Sequence, residues 1–184
     1  MGTILTDTAA TALWHDLVRE AKQRGAAPLD DEIESYLVFL LMRHLRDANL
    51  GGHVLALDYL TALDDTGTPR HDRLRNVGDR CLIIAGLYPQ QAQQRLVSLR
   101  YFFDLGSRAY GDLADAARTA WAELFRRLAA TFARLVRVLV EVRRIGGADG
   151  LDAFGRHTLG VTDASAAARE FPGAVVLPAP VRVN

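Results

Sequence analysis

Tyr36-Leu37-Val38-Phe39-Leu40-Leu41-Met42 is the longest uninterrupted apolar run in the chain, and the fold class follows from how it is read. Seven apolar residues in a row fall far short of the roughly 20 that span a bilayer. The flanks decide for a helix. Asp31 with Glu34 three residues later reads as a capping box, and Gly51-Gly52 is a stop, so the spacing predicts a helix from 31 to about Asn49. A helix that is apolar on every side is expected to be the buried centre of a bundle.

Outward from this run the chain keeps a helical period. Residues 7–24 place Ala10, Leu13, Leu17, Val18 and Ala21 on one face, and Gly25 ends that segment. After the double glycine a short helix is expected over about 53–63. The stretch Asp64-Asp65-Thr66-Gly67-Thr68-Pro69 has the composition of a loop. A fourth helix follows from about Arg70 to Leu87, striped by Leu74, Val77, Cys81 and Ile84, and it stops before Pro89. Beyond the glutamine-rich turn 90–94 a fifth helix spans about 98–116. The sixth, 119–145, is the longest, with a seam of Trp121, Leu124, Leu128, Phe132, Leu135, Leu139 and Val142. Gly146-Gly147 breaks it. Six helices on short loops predict an all-α, single-domain bundle over residues 1–146. Residues 147–184 read as a loosely structured C-terminal extension, with one short helix at about 163–171 and an extended end over 174–183.

Composition narrows the function. The chain has 184 residues, with 22 Lys plus Arg balancing 22 Asp plus Glu, and 49% hydrophobic residues. That excludes a disordered polyampholyte and binding driven by overall charge. Of the 22 basic residues, Lys22 alone is lysine, a bias expected of a GC-rich bacterial genome. No basic region followed by an apolar run opens the chain, so a cytoplasmic location is expected. The single cysteine, Cys81, excludes an intramolecular disulfide and a Cys-based zinc site, and its apolar neighbours mark it as a buried thiol.

Motif chemistry is sparse. No Glu-x-x-His supports a di-iron bundle, no His-x-x-x-His supports a zincin, and neither a phosphate loop nor a nucleophile elbow occurs. Two adjacent pairs, His15-Asp16 and His71-Asp72, are of the kind that binds divalent metal in helical phosphohydrolases. His44 or His53 and Asp104 could complete such a set. Asp72 at a helix start also has a plainer reading, as a residue favoured by the helix dipole. No metal or other cofactor is expected.

The fifth helix is more informative. Arg100, Asp104, Arg108 and Asp112 recur every four residues, the spacing of a salt-bridged face. Ser107 and Gly111 are small residues where another helix could approach. On the fourth helix Asp79 lies among apolar neighbours, so a buried carboxylate is expected, with Arg100 as its partner. A polar cleft between the fourth and fifth helices would then be lined by Asp79, Arg80, Arg100, Asp104, Ser107 and Tyr110. Along the sixth helix Arg126, Arg127, Arg134, Arg137 and Arg144 share an arc with Glu123 and Glu141. Without aromatic interleaving this arc points away from nucleic acid, and toward a solvated face or an acidic protein partner.

The runs Asn76-Val77-Gly78-Asp79-Arg80-Cys81-Leu82-Ile83-Ile84-Ala85-Gly86-Leu87-Tyr88-Pro89 and Tyr101-Phe102-Phe103-Asp104-Leu105-Gly106-Ser107-Arg108-Ala109-Tyr110 resemble a pattern in uncharacterised bacterial helical proteins. The resemblance covers roughly 35 residues, and it implies an all-α fold and no mechanism. Two functions are therefore expected to compete. One is a non-enzymatic interaction or regulatory module, self-associating or binding a protein through the 119–145 helix. The other is a small-molecule or metal-dependent hydrolytic site in the polar cleft.

Overall fold

The computed structural model describes residues 7–25, 28–44, 54–89, 98–117 and 120–147, and every regular element among them is helical. In chain order these are α1 (Asp7–Arg24), α2 (Asp31–His44), α3 (Leu55–Asp64), α4 (Gly67–Leu87), α5 (Leu99–Ala116), α6 (Ala120–Ala130) and α7 (Phe132–Gly146). The protein is all-α. The expectations for 163–171 and 174–183 lie outside the described residues, as does the stretch beyond His44 where α2 was expected to continue. No helix among the described residues is long and apolar enough to cross a membrane.

The centre of the bundle is α4 rather than α2. It packs against α3, α5 and α7, and from Cys81 to Tyr88 eight successive residues are buried. Glycines allow this. A Cβ on Gly86 would stand 2.4 Å from Cβ of Leu139 on α7, and one on Gly78 would stand 2.5 Å from the ring of Tyr110 on α5. On the α5 side, Gly106 meets Cys81 and Phe132, with 2.7 Å and 2.4 Å left for a Cβ. Close packing of this kind fixes register, because an added methyl group has nowhere to go. The small residue at the crossing is thus Gly106. Gly111, expected there, has open space beside it.

Helix α2 packs on α1 and meets α6 only sparingly. Its cap is Asp30, whose Oδ1 accepts from the backbone N–H of Ile33 at 2.9 Å. The residue expected to complete a capping box, Glu34, instead turns into the α1–α2 seam. It is buried there, takes the Lys22 ammonium at 2.8 Å and faces the His15 ring at 3.6 Å. Of the run Tyr36 to Met42, Phe39 does not reach the core: it is 64% exposed.

The long sixth helix of the sequence reading is two helices. Thr131 breaks it with φ −104° and ψ 10°, while its hydroxyl donates to the Arg127 carbonyl at 2.7 Å. A threonine hydroxyl bonded four residues back competes with the helical ladder and bends it. On either side of this break the two halves serve different neighbours. Helix α6 lies on α5, and α7 lies on α1 and α4. The expected seam is buried from Leu124 to Val142, but its first member, Trp121, is 59% exposed. Helix α4 also starts earlier than expected, at Gly67, because Pro69 in a first turn forfeits no intrahelical hydrogen bond.

Candidate functional site

Asp79 is the buried carboxyl that the sequence suggested, at 7% exposure, but its partners differ from those expected. The Tyr36 hydroxyl of α2 donates to its Oδ1 at 2.5 Å, and the Tyr110 hydroxyl of α5 donates to the same oxygen at 2.8 Å. Oδ2 faces Arg75 Nε at 3.7 Å and Arg43 Nη1 at 3.8 Å. Burial pushes the Asp79 carboxyl above the usual carboxylate range, and the tyrosine hydrogen bonds and the arginines oppose that rise. Both phenols are raised well above their ordinary value, first by burial and then by the Asp79 charge. They therefore stay protonated and donate.

Arg100 is not part of this arrangement. Its side chain is 88% exposed and pairs with Asp104, one turn along α5, at 3.5 Å. The antiparallel register explains why. Gly78 sits against Tyr110 and Cys81 against Gly106, so Arg100, ten residues before Tyr110, lies about 15 Å further along the α5 axis. Ser107 is occupied structurally, donating to the Ala129 carbonyl of α6 at 3.1 Å, and Arg80 is half-buried. Of the six residues assigned to a polar cleft, the structure joins Asp79 to Tyr110 across the α4–α5 seam, while Arg100 and Asp104 pair with each other on the α5 surface. Between α4 and α5 the glycine contacts close that cleft. A hollow of about 820 Å³ does lie where the start of α4 faces the end of α5, but it is bordered by Asp65, His71, Asp112 and Asp115.

The metal set proposed around His71-Asp72 does not assemble among the described residues. One His71 ring nitrogen lies 3.2 Å from the Ala116 carbonyl, while Asp104 is exposed near the opposite end of α5. No three His, Cys, Asp or Glu side chains among the described residues gather to hold a metal ion. His53 and the His44 side chain lie outside them. Cys81 is buried, and burial alone raises its thiol far above the ordinary value, which leaves it a small hydrophobe.

What the structure does present is a groove above the Asp79 cluster. One wall is a face of α2 made by Glu32, Ser35, Tyr36, Phe39 and Arg43, and the other is Trp121 and Leu124 of α6, with Arg75 of α4 between them. The volume is about 540 Å³. Tyr36 links groove and core: its hydroxyl holds Asp79, Arg75 lies 5.6 Å above its ring, and its edge meets Phe125 at 5.9 Å. Trp121 leans on Phe125 from outside, at 6.5 Å, and separates the groove from a smaller hollow of about 230 Å³ that His71 and Asp72 border.

Sequence reasoning missed Phe39, Arg43, Arg75 and Trp121. The signal for the first two was present. Glu32, Ser35, Phe39 and Arg43 fall within one narrow arc of a helix, so Phe39 interrupts a polar face and does not extend an apolar one.

The arginine arc is largely engaged within the chain. Arg127 bonds Asp30 at 2.8 Å and also Glu32, Arg126 pairs with Glu123, and Arg144 lies 3.7 Å from Glu141. Comparison of the chain with protein families, with curated proteins and with solved structures finds no match to any of them.

Proposed function

We propose that this protein is a non-enzymatic interaction module that takes a partner protein in the groove between α2 and α6. One observation carries the reading: Phe39 and Trp121, two large aromatic side chains, stand exposed on opposite walls of one groove, which Tyr36 ties through its hydroxyl to the buried Asp79. Aromatic and arginine side chains gathered at the centre of a concave patch are the usual anchors of protein recognition. The buried Tyr36–Asp79–Tyr110 arrangement acts as scaffold in this reading, since both phenol hydroxyls are spent on Asp79 Oδ1. The bacterial origin and cytoplasmic location remain part of the proposal, the first supported by the excess of arginine over lysine.

A photo-crosslinking amino acid placed at Phe39, and separately at Trp121, tests it in the host cell. The same discrete adduct is expected from both positions and none from Arg100, which is exposed but outside the groove. No adduct at 39 and 121, or an equal one at 100, overturns the reading.

A further inference from the structure

We infer that the groove receives an amphipathic α-helix of the partner, with acidic side chains at the end that lies over Arg43 and Arg75. The inference rests on the docking reading above and names its occupant. Shape comes first. From Glu32 to Arg43 the α2 wall spans twelve residues, about 16 Å at helical rise, or three turns. A trough of that length beside a helix suits another helix lying along it, with apolar anchors spaced at i, i+3 or i+4, and i+7.

Charge then sets the chemistry and direction. At one end Glu32 and Asp30 share the single Arg127 guanidinium, so that end offers no spare positive charge. At the other end two guanidinium groups share one carboxyl. The Oδ1 atom of Asp79 is taken by two tyrosine hydroxyls, and its Oδ2 stands beyond hydrogen-bond distance of both arginines. Arg43 gives one bond to Asn76 at 2.8 Å, and its half-exposed guanidinium, which lines the groove, keeps further donors on that side. Forked donors left over beside an apolar trough match a carboxylate. Phe39 and Trp121 grip the apolar face, and the arginines select the acidic end.

Two synthetic peptides of about 14 residues test this, each with Leu anchors at helical spacing on an Ala background. One ends in two Glu, the other in two Lys. Each is titrated into the full chain and followed by Trp121 emission, since Trp14 is buried and gives a constant background. The Glu peptide is expected to bind at least about tenfold more tightly, with an advantage that shrinks as salt is added. Arg43→Gln is expected to abolish the preference and Arg43→Glu to reverse it, whereas Arg100→Glu leaves it intact. Melting curves confirm that each variant is folded. Equal affinities, no binding of either peptide, or the same loss in Arg100→Glu overturn the acidic-helix assignment. If the peptides fail while the crosslinker at Phe39 still traps a partner, the docking reading stands and only the occupant is wrong. An adduct of the chain with itself overturns the acidic partner in favour of a second copy. If the crosslinker traps nothing, the docking reading itself falls.

Discussion

Helices α2 and α4 carry apolar stretches of similar length, Tyr36 to Met42 and, interrupted by Gly86, Cys81 to Leu87, yet the bundle closes around one and leaves the other with an open side. The difference lies in what flanks each run. On α4, Gly78 and Gly86 let α5 and α7 approach until side chains touch helix backbone, and no solvent face survives along Cys81 to Tyr88. On α2 there is no glycine, a polar arc of Glu32, Ser35 and Arg43 runs beside the apolar residues, and α6 stays at groove distance. Apolar length alone does not make a helix central. The room it offers its neighbours does.

The largest expected effect tests the buried side of α2. Leu40 is 5% exposed, and Leu40→Asp places an unpaired carboxylate in the core. The cost is several kcal/mol against a total stability of about 5–15 kcal/mol, so the variant should lose its cooperative thermal transition. A folded Leu40→Asp protein would mean that α2 is open on more than one side.

Next comes the tie between the two helices. Asp79→Leu strands two buried phenol hydroxyls, at about 1–3 kcal/mol each, and denaturant titration should show a loss of about 2–6 kcal/mol. Asp79→Asn keeps an acceptor and should lose less. Its deficit should depend on pH with a definite sign. Because the folded-state carboxyl is raised, the wild type binds its proton more tightly when folded. That contribution is fully present below the unfolded carboxyl value and disappears as pH rises through the folded one. The stability difference should therefore move in favour of the wild type between about pH 7 and about pH 4. A difference independent of pH would contradict the burial of Asp79. The pair Asp79 and Arg100, in contrast, should show no coupling, since the two side chains do not meet.

The smallest effect belongs to the open side. Phe39→Ser should change stability by no more than about 0.5 kcal/mol, because the side chain is mostly in water already. A loss comparable to that of a core truncation would close the groove and remove the contrast between α2 and α4.

Much of the fold was legible because helix period and glycine punctuation are local signals. The stripe Leu74, Val77, Cys81, Ile84 and the seam from Leu124 to Val142 are buried as their spacing implied. The break at Thr131 was not legible, since a continuous seam gives no sign that its two halves face different helices. In the site, Asp79 was found from its apolar surroundings, but its partners depend on the α4–α5 register, which is set by Gly78 and Gly106 and not by charge periodicity. The spacing of Arg100 and Asp104 described a pair on one helix surface and said nothing about the next helix. Phe39 was misplaced because a run of apolar residues hides which of them shares an arc with Glu32 and Arg43.

The seam between α1 and α2 bears on covalent chemistry. Among the side chains of this sequence the ε-amine of Lys22 is the only one, and it is held against the buried Glu34 carboxyl. Acylating it would remove the ammonium that Glu34 faces and leave that carboxyl, among the described residues, facing His15. A reagent or enzyme that modifies lysine side chains therefore acts on this chain at a single structural joint, and its effect is read as a loosening of α1 from α2 and not as a change in surface charge.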